Sequence, residues 1–173
     1  MIRALWDFSA RLYAETGVSS ACLRLQDEHG IDVNLLMFAA WLGQVHGLSL
    51  DAAGVQAAVD ATADWQSEVV MPIRALRRGL KGVAQRIADP DVEAVRSRIQ
   101  ALELDAEQRE QGRLEALRTR LPAARAEAAG SALALANIAI LIACRAQPGG
   151  AAASRELGVF RSALESPGLG PLR

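Results

Sequence analysis

Between Val33 and Leu42 the chain reads VNLLMFAAWL, apolar at every position except Asn34. Wound as a helix, such a segment shows no polar face, so it must be surrounded by protein. Ten residues of helix are about 15 Å long, well short of the roughly 20 apolar residues that cross a bilayer. The segment therefore predicts a central, fully apolar helix with other helices packed around it. Asp32 precedes it as a natural N-cap, and Gly47 is a natural stop. Asn34 becomes a polar group inside the core and must find hydrogen-bond partners there.

The composition supports helices elsewhere. The 173 residues include 34 Ala and 23 Leu, and only 4% are aromatic. Strong helix formers in excess, with few β-branched and aromatic residues, disfavour a sheet. The expectation is an all-α, single-domain bundle of about six helices. The first two run over 2–15 and 19–29, the second capped by Ser19 or Ser20 and ended by His29-Gly30. A long helix kinked at Pro72, or two nearly coaxial helices meeting there, carries a seam from Val55 through Ile73 to Ile87 without losing phase. Asp89-Pro90 restarts the chain as a helix to Arg120, two-sided, partly exposed and open to a break near Gly112. A last long helix begins at Pro122. Its uncharged stretch 128–144 is 17 residues with Ser131 and Asn137 inside, a core helix rather than a span. The domain is expected to cover 1–147. Residues 148–173 form a partly disordered tail with one short helix near 152–165. Cys22 and Cys144 are expected as buried free thiols, in no metal or redox spacing. The start shows no secretory signal, which points to the cytoplasm.

A net charge of −1 conceals segregation. Residues 1–68 sum to −6, whereas 69–88 hold five basic residues and no acid. Arg74, Arg77, Arg78 and Lys81 fall at i, i+3, i+4 and i+7, one helical face. Four cations there can grip an acidic partner or phosphates, or can pair within the fold. No aromatics are interleaved, so nucleic acid ranks below another protein as the partner. A second polar cluster spans Gln26 to Asn34. It is a helix end, a turn and a helix start in which Gln26 or Asp27 could satisfy Asn34 and Asp32 could cap. A hydrogen-bonded corner and a ligand site are both open for Gln26, Asp27, Asp32 and Asn34.

Enzyme signatures are sparse. No P-loop, G-x-S-x-G or HExxH occurs, and two His are too few to suggest a metal site. One alternative stands, a helical enzyme or small-ligand binder: Asp60 and Asp64, at i, i+4, could hold Mg²⁺ and diphosphate as in helical isoprenoid synthases, with the Arg74–Lys81 stripe serving the diphosphate. No cofactor is expected otherwise. The primary expectation is a non-enzymatic interaction or adaptor module using the basic face.

Several short motifs carry a resemblance. They are Trp6-Asp7-Phe8-Ser9, Leu12-Tyr13, Gly17-Val18, Ala21-Cys22-Leu23, Leu25-Gln26-Asp27, then G-x-D-V-N-L-L over Gly30–Leu36 and Trp41-Leu42. Together they resemble an uncharacterised proteobacterial family of small all-helical proteins, a conserved domain of unknown function. The likeness is dense over 6–42 and looser through Trp65, Val69-Val70, Pro72-Ile73 and Arg74–Lys81. It implies a bacterial, cytoplasmic, all-α protein and brings no catalytic residues.

Overall fold

The structure is a computed structural model, and it describes residues 4–121, 123–126, 128–145 and 151–169. Eight α-helices make up almost all of it: α1 (Ala4–Ala14), α2 (Val18–His29), α3 (Val33–Trp41), α4 (Ala52–Trp65), α5 (Met71–Ile87), α6 (Pro90–Leu117), α7 (Ser131–Arg145) and α8 (Ala151–Leu164). The expected all-α single domain is what forms; α4 and α5 stand where one long kinked helix or two coaxial ones are expected, and α8 where a short one is. No described helix is long and apolar enough to cross a membrane.

α3 is the central helix, buried at every position from Asn34 to Trp41. Asp32 caps it, its carboxylate accepting from the Asn34 N–H at 2.8 Å. Gly30 ends α2 in the left-handed region, φ 66°, as a helix-stop glycine should. α2 itself opens at Val18 behind a left-handed Gly17, not behind a serine cap. Around α3 pack α1 with Leu5, Phe8 and Leu12, α2 with Cys22 and Leu25, and α7 with Ile138 and Leu141, all buried.

α7 approaches the end of α3 more closely than side chains would allow. The helix widens into a π turn over Leu42–His46. A Cβ on Gly43 would lie 2.4 Å from the backbone nitrogen of Ala134. The Gly43 carbonyl also accepts from the Gly130 N–H at 3.0 Å. Just beyond, Leu48-Ser49 pairs antiparallel with Ala124-Arg125. Asn137 ties this junction from inside: its amide donates to the Ala39 and Leu48 carbonyls, and its oxygen accepts from the Leu50 N–H. The last long helix accordingly starts at Ser131, because the preceding residues serve the strand pair. The expected start at Pro122, the expected stop at Pro148–Gly150 and the final four residues lie outside the described residues.

Helix continues across Pro72. Proline supplies no N–H and its ring crowds the carbonyl four residues back, and the chain answers with a π turn over Gln66–Val70. α6 runs unbroken past Gly112. α5 and the first half of α6 form a two-helix arm in which no residue from Met71 to Leu102 is buried. At its base the Trp65 indole N–H donates to the Ala106 carbonyl at 3.0 Å, with Arg113 stacked 3.8 Å over the ring.

Two expectations need correction. Over 151–169 the expected tail is part of the core: Phe160, Ala163, Leu164 and Leu169 are buried, and Glu156 pairs with Arg24 at 2.6 Å. The physical reason is that α2 and α7 leave an apolar seam that α8 fills. Cys144 is exposed at the end of α7, whereas Cys22 is buried as expected.

Gly43→Ala is expected to lower stability by about 3 kcal/mol, since the clash is with backbone that must move. Urea unfolding followed by circular dichroism checks it. An unchanged midpoint would show that α7 sits more loosely on α3.

Candidate functional site

A cavity of about 560 Å³ opens between the Gln26–Asn34 corner and the Arg74–Arg78 face. Five helices wall it. α1 contributes Trp6, Ser9, Ala10 and Tyr13, at i, i+3, i+4 and i+7, a strip of two aromatics separated by two small residues. α2 and α3 add Gln26, Leu23, Val33, Asn34 and Met37, and α5 adds Arg74, Arg77 and Arg78. Facing them, α6 presents Gln100, Glu103, Leu104, Glu107 and Gln111.

The arginines are anchored on acids of α6. Arg74 donates from Nε to Glu103 at 2.9 Å and from Nη2 to Glu107 at 2.5 Å. Arg77 also donates to Glu103, so one buried carboxylate serves two guanidinium groups. Burial raises the Glu103 pKa, but the hydrogen bonds from Arg77 and Arg74 outweigh it and hold the group below the usual range. Burial likewise opposes charge on Arg74, and Glu103 and Glu107 more than offset it. Glu107 is different: burial lifts its pKa more than Arg74 draws it down. Arg78 reaches the corner instead, donating to Asp27 at 2.9 Å, with both side chains more than half exposed. Each guanidinium keeps unused N–H donors, because it has five and these bonds take one or two.

Beneath the cleft lies a buried polar network. Ser9 donates to Gln111, Gln111 donates to Asn34, and Asn34 donates to Glu110 at 3.0 Å. Gln66 donates to Asp32 at 2.5 Å and sits beside Glu110. Burial, and then the neighbouring Asp32 charge, push the Glu110 pKa up to about 9. Burial and the facing Asp32 carboxylate both favour the protonated form of Glu110. Two facing carboxyls in a dry site can share one proton where they could not both be ionised.

The expected corner forms with different partners. Asn34 is satisfied by Glu110 and Gln111 of α6, not by Gln26 or Asp27. Gln26 lines the cleft, Asp27 turns outward to Arg78, and Asp32 caps as expected. Lys81 leaves the cleft and lines a shallower groove with Arg96 and Glu93 toward the tip of the arm. Asp60 and Asp64 do not enter the cleft: both are exposed on α4, and Asp60 accepts from Gln56 at 2.7 Å. The imagined Mg²⁺–diphosphate pocket is thus not assembled, since α4 carries these acids on its solvent side. Among the described residues no group of three acidic, His or Cys side chains is placed to hold a metal ion. The residues missed in the sequence are Glu103, Glu107, Glu110 and Gln111. Their signal is phase: Ile99, Glu103, Ala106, Glu110 and Leu114 continue one inward-facing stripe.

Because Glu110 holds its proton far above the ordinary carboxylate value of 4.5, the folded state binds more protons than the unfolded one between about pH 4.5 and 9. The contribution of Glu110 to stability should be fullest below that window and fall as pH rises through it. Glu110→Gln keeps a donor for Asp32 and an acceptor for Asn34, and should flatten this decline. Urea midpoints from pH 5 to 9 measure it; parallel curves for the two proteins would place the proton elsewhere.

Comparison with curated proteins and with solved structures returned no match. A family model described as a protein of unknown function, DUF2390, matches residues 4–114. The matched span takes in α1 to α5 and nearly all of α6, and so every wall of the cleft and the network below it. The chain belongs to the DUF2390 family.

Proposed function

We propose that this chain binds a small amphipathic molecule bearing an anionic group, held in the cleft between α1 and the α5–α6 arm. The observation that carries this reading is the cleft itself. Its 560 Å³ falls within the range of small-molecule pockets. One wall is Trp6, Ala10, Tyr13 and Leu23, suited to an apolar or planar body. The other carries guanidinium groups with donors to spare, of which Arg78 is the least committed. Carboxylates such as Glu107 would orient any ligand hydroxyl or amine.

The expectation of a macromolecular partner on the basic face draws less support from this geometry. Arg74 and Arg77 are engaged with α6, which leaves Arg78 and Lys81 as the accessible cations. The same shortage weighs against nucleic acid, whose affinity depends on several phosphate contacts. We keep a cytoplasmic location as part of the proposal, on the free thiols Cys22 and Cys144, one of them exposed.

Thermal unfolding in the presence of 1-naphthoate, dodecanoate or phenyl phosphate tests the reading. At least one should raise the midpoint by about 2 °C or more at millimolar concentration. Ala10→Trp, which fills the cleft from an exposed helical position, should abolish the shift, and Arg78→Met should weaken it. A shift that survives Ala10→Trp would put the ligand elsewhere, and no shift with any probe would count against the proposal.

A further inference from the structure

The α5–α6 arm has two unlike sides. The charged side faces the cleft. On the opposite side, α5 carries Leu76, Val83 and Ile87 at i, i+7 and i+11, and α6 carries Val95 and Leu102 at i and i+7. Leu76 is 56% exposed, Ile87 50%, Val95 47% and Leu102 54%. Large apolar side chains rarely sit together in water without a partner. On the outer side of α5, a Cβ on Gly79 or Gly82 would meet nothing within 4 Å.

We infer that this back face is a self-association surface that takes a second copy of the chain. Three observations select that occupant. First, the spacing is heptad-like on both helices, which suits helix-on-helix packing, and two helical hairpins together complete a four-helix bundle. Second, the stripe is in register with itself. The helices are antiparallel about the Ala88-Asp89 turn, so Val83 lies level with Val95, and Leu76 with Leu102. A two-fold axis along the arm sets α5 of one copy on α6 of the other. Val83 then meets Val95 of the partner subunit, and Leu76 meets Leu102 of the partner subunit. Third, the charges are self-complementary. Arg86 on α5 and Asp91 on α6 are both exposed beside the apolar stripe. At the tip, Arg86 of one copy falls level with Asp91 of the partner subunit.

Sedimentation of the full chain at tens of micromolar tests this. The expected mass is twice 18.4 kDa. Leu76→Glu with Leu102→Glu, at exposed positions, should give a monomer with unchanged helical content. Arg86→Asp alone should weaken the dimer, and adding Asp91→Arg should restore it. A wild-type monomer overturns the inference, as does a dimer that persists in the double-glutamate variant. A monomer that floats with lipid vesicles overturns it in favour of a membrane surface.

Discussion

The site is organised by one demand: Asn34 sits in the most apolar helix of the protein and its amide must be satisfied away from water. An unpaired buried amide costs on the order of 1–3 kcal/mol. The helix that answers it is α6, through Glu110 and Gln111. Placing those residues against α3 fixes the rotation of α6. With that rotation set, Glu103 and Glu107 necessarily face α5, seven and three residues earlier on the same helix. The ion pairs of Arg74 and Arg77 then follow, and the cleft is the space left above the network. A single polar position in an apolar segment thus determines where a long helix lies.

The electrostatics show why the arrangement tolerates so much buried charge. Glu103 stays ionised because two guanidinium groups surround it, and Glu110 avoids the cost by keeping its proton. Glu107 lies between these extremes, with one arginine and a partly dry setting. Three carboxyls on one helix thus meet three environments. This explains how a helix rich in acids can line a protein interior.

Much of the architecture was legible in the sequence. The central helix, its Asp32 cap, the Gly30 stop and the Asp89-Pro90 restart follow from local rules that depend on a few neighbouring residues. The corner and the basic face were also visible, and the cleft lies between them. What the sequence concealed was tertiary. Glu103, Glu107, Glu110 and Gln111 read as a solvated stretch because acids usually are, and only their phase with Ile99 and Leu114 marks them as inward. The stripe Arg74–Arg78 read as a surface for partners because its counter-ions lie 26 to 51 residues away in sequence. The α8 helix looked like tail since its apolar positions are few, yet Phe160 and Leu164 meet a seam already prepared by α2 and α7.

The placement of α8 bears on how the chain comes to be folded. Phe160 and Leu169 complete a core whose first walls are residues 5–42 and whose others include Leu50, Val55, Leu114 and the α7 residues Ile138 and Leu141. A ribosome making this protein therefore releases the apolar N-terminal helices long before their last packing partner has been synthesised. Those helices must wait with part of their surface wet, and the native core closes only when synthesis has passed residue 169. The protein is consequently one whose folding is completed late, with an interval in which its most apolar segment depends on provisional cover.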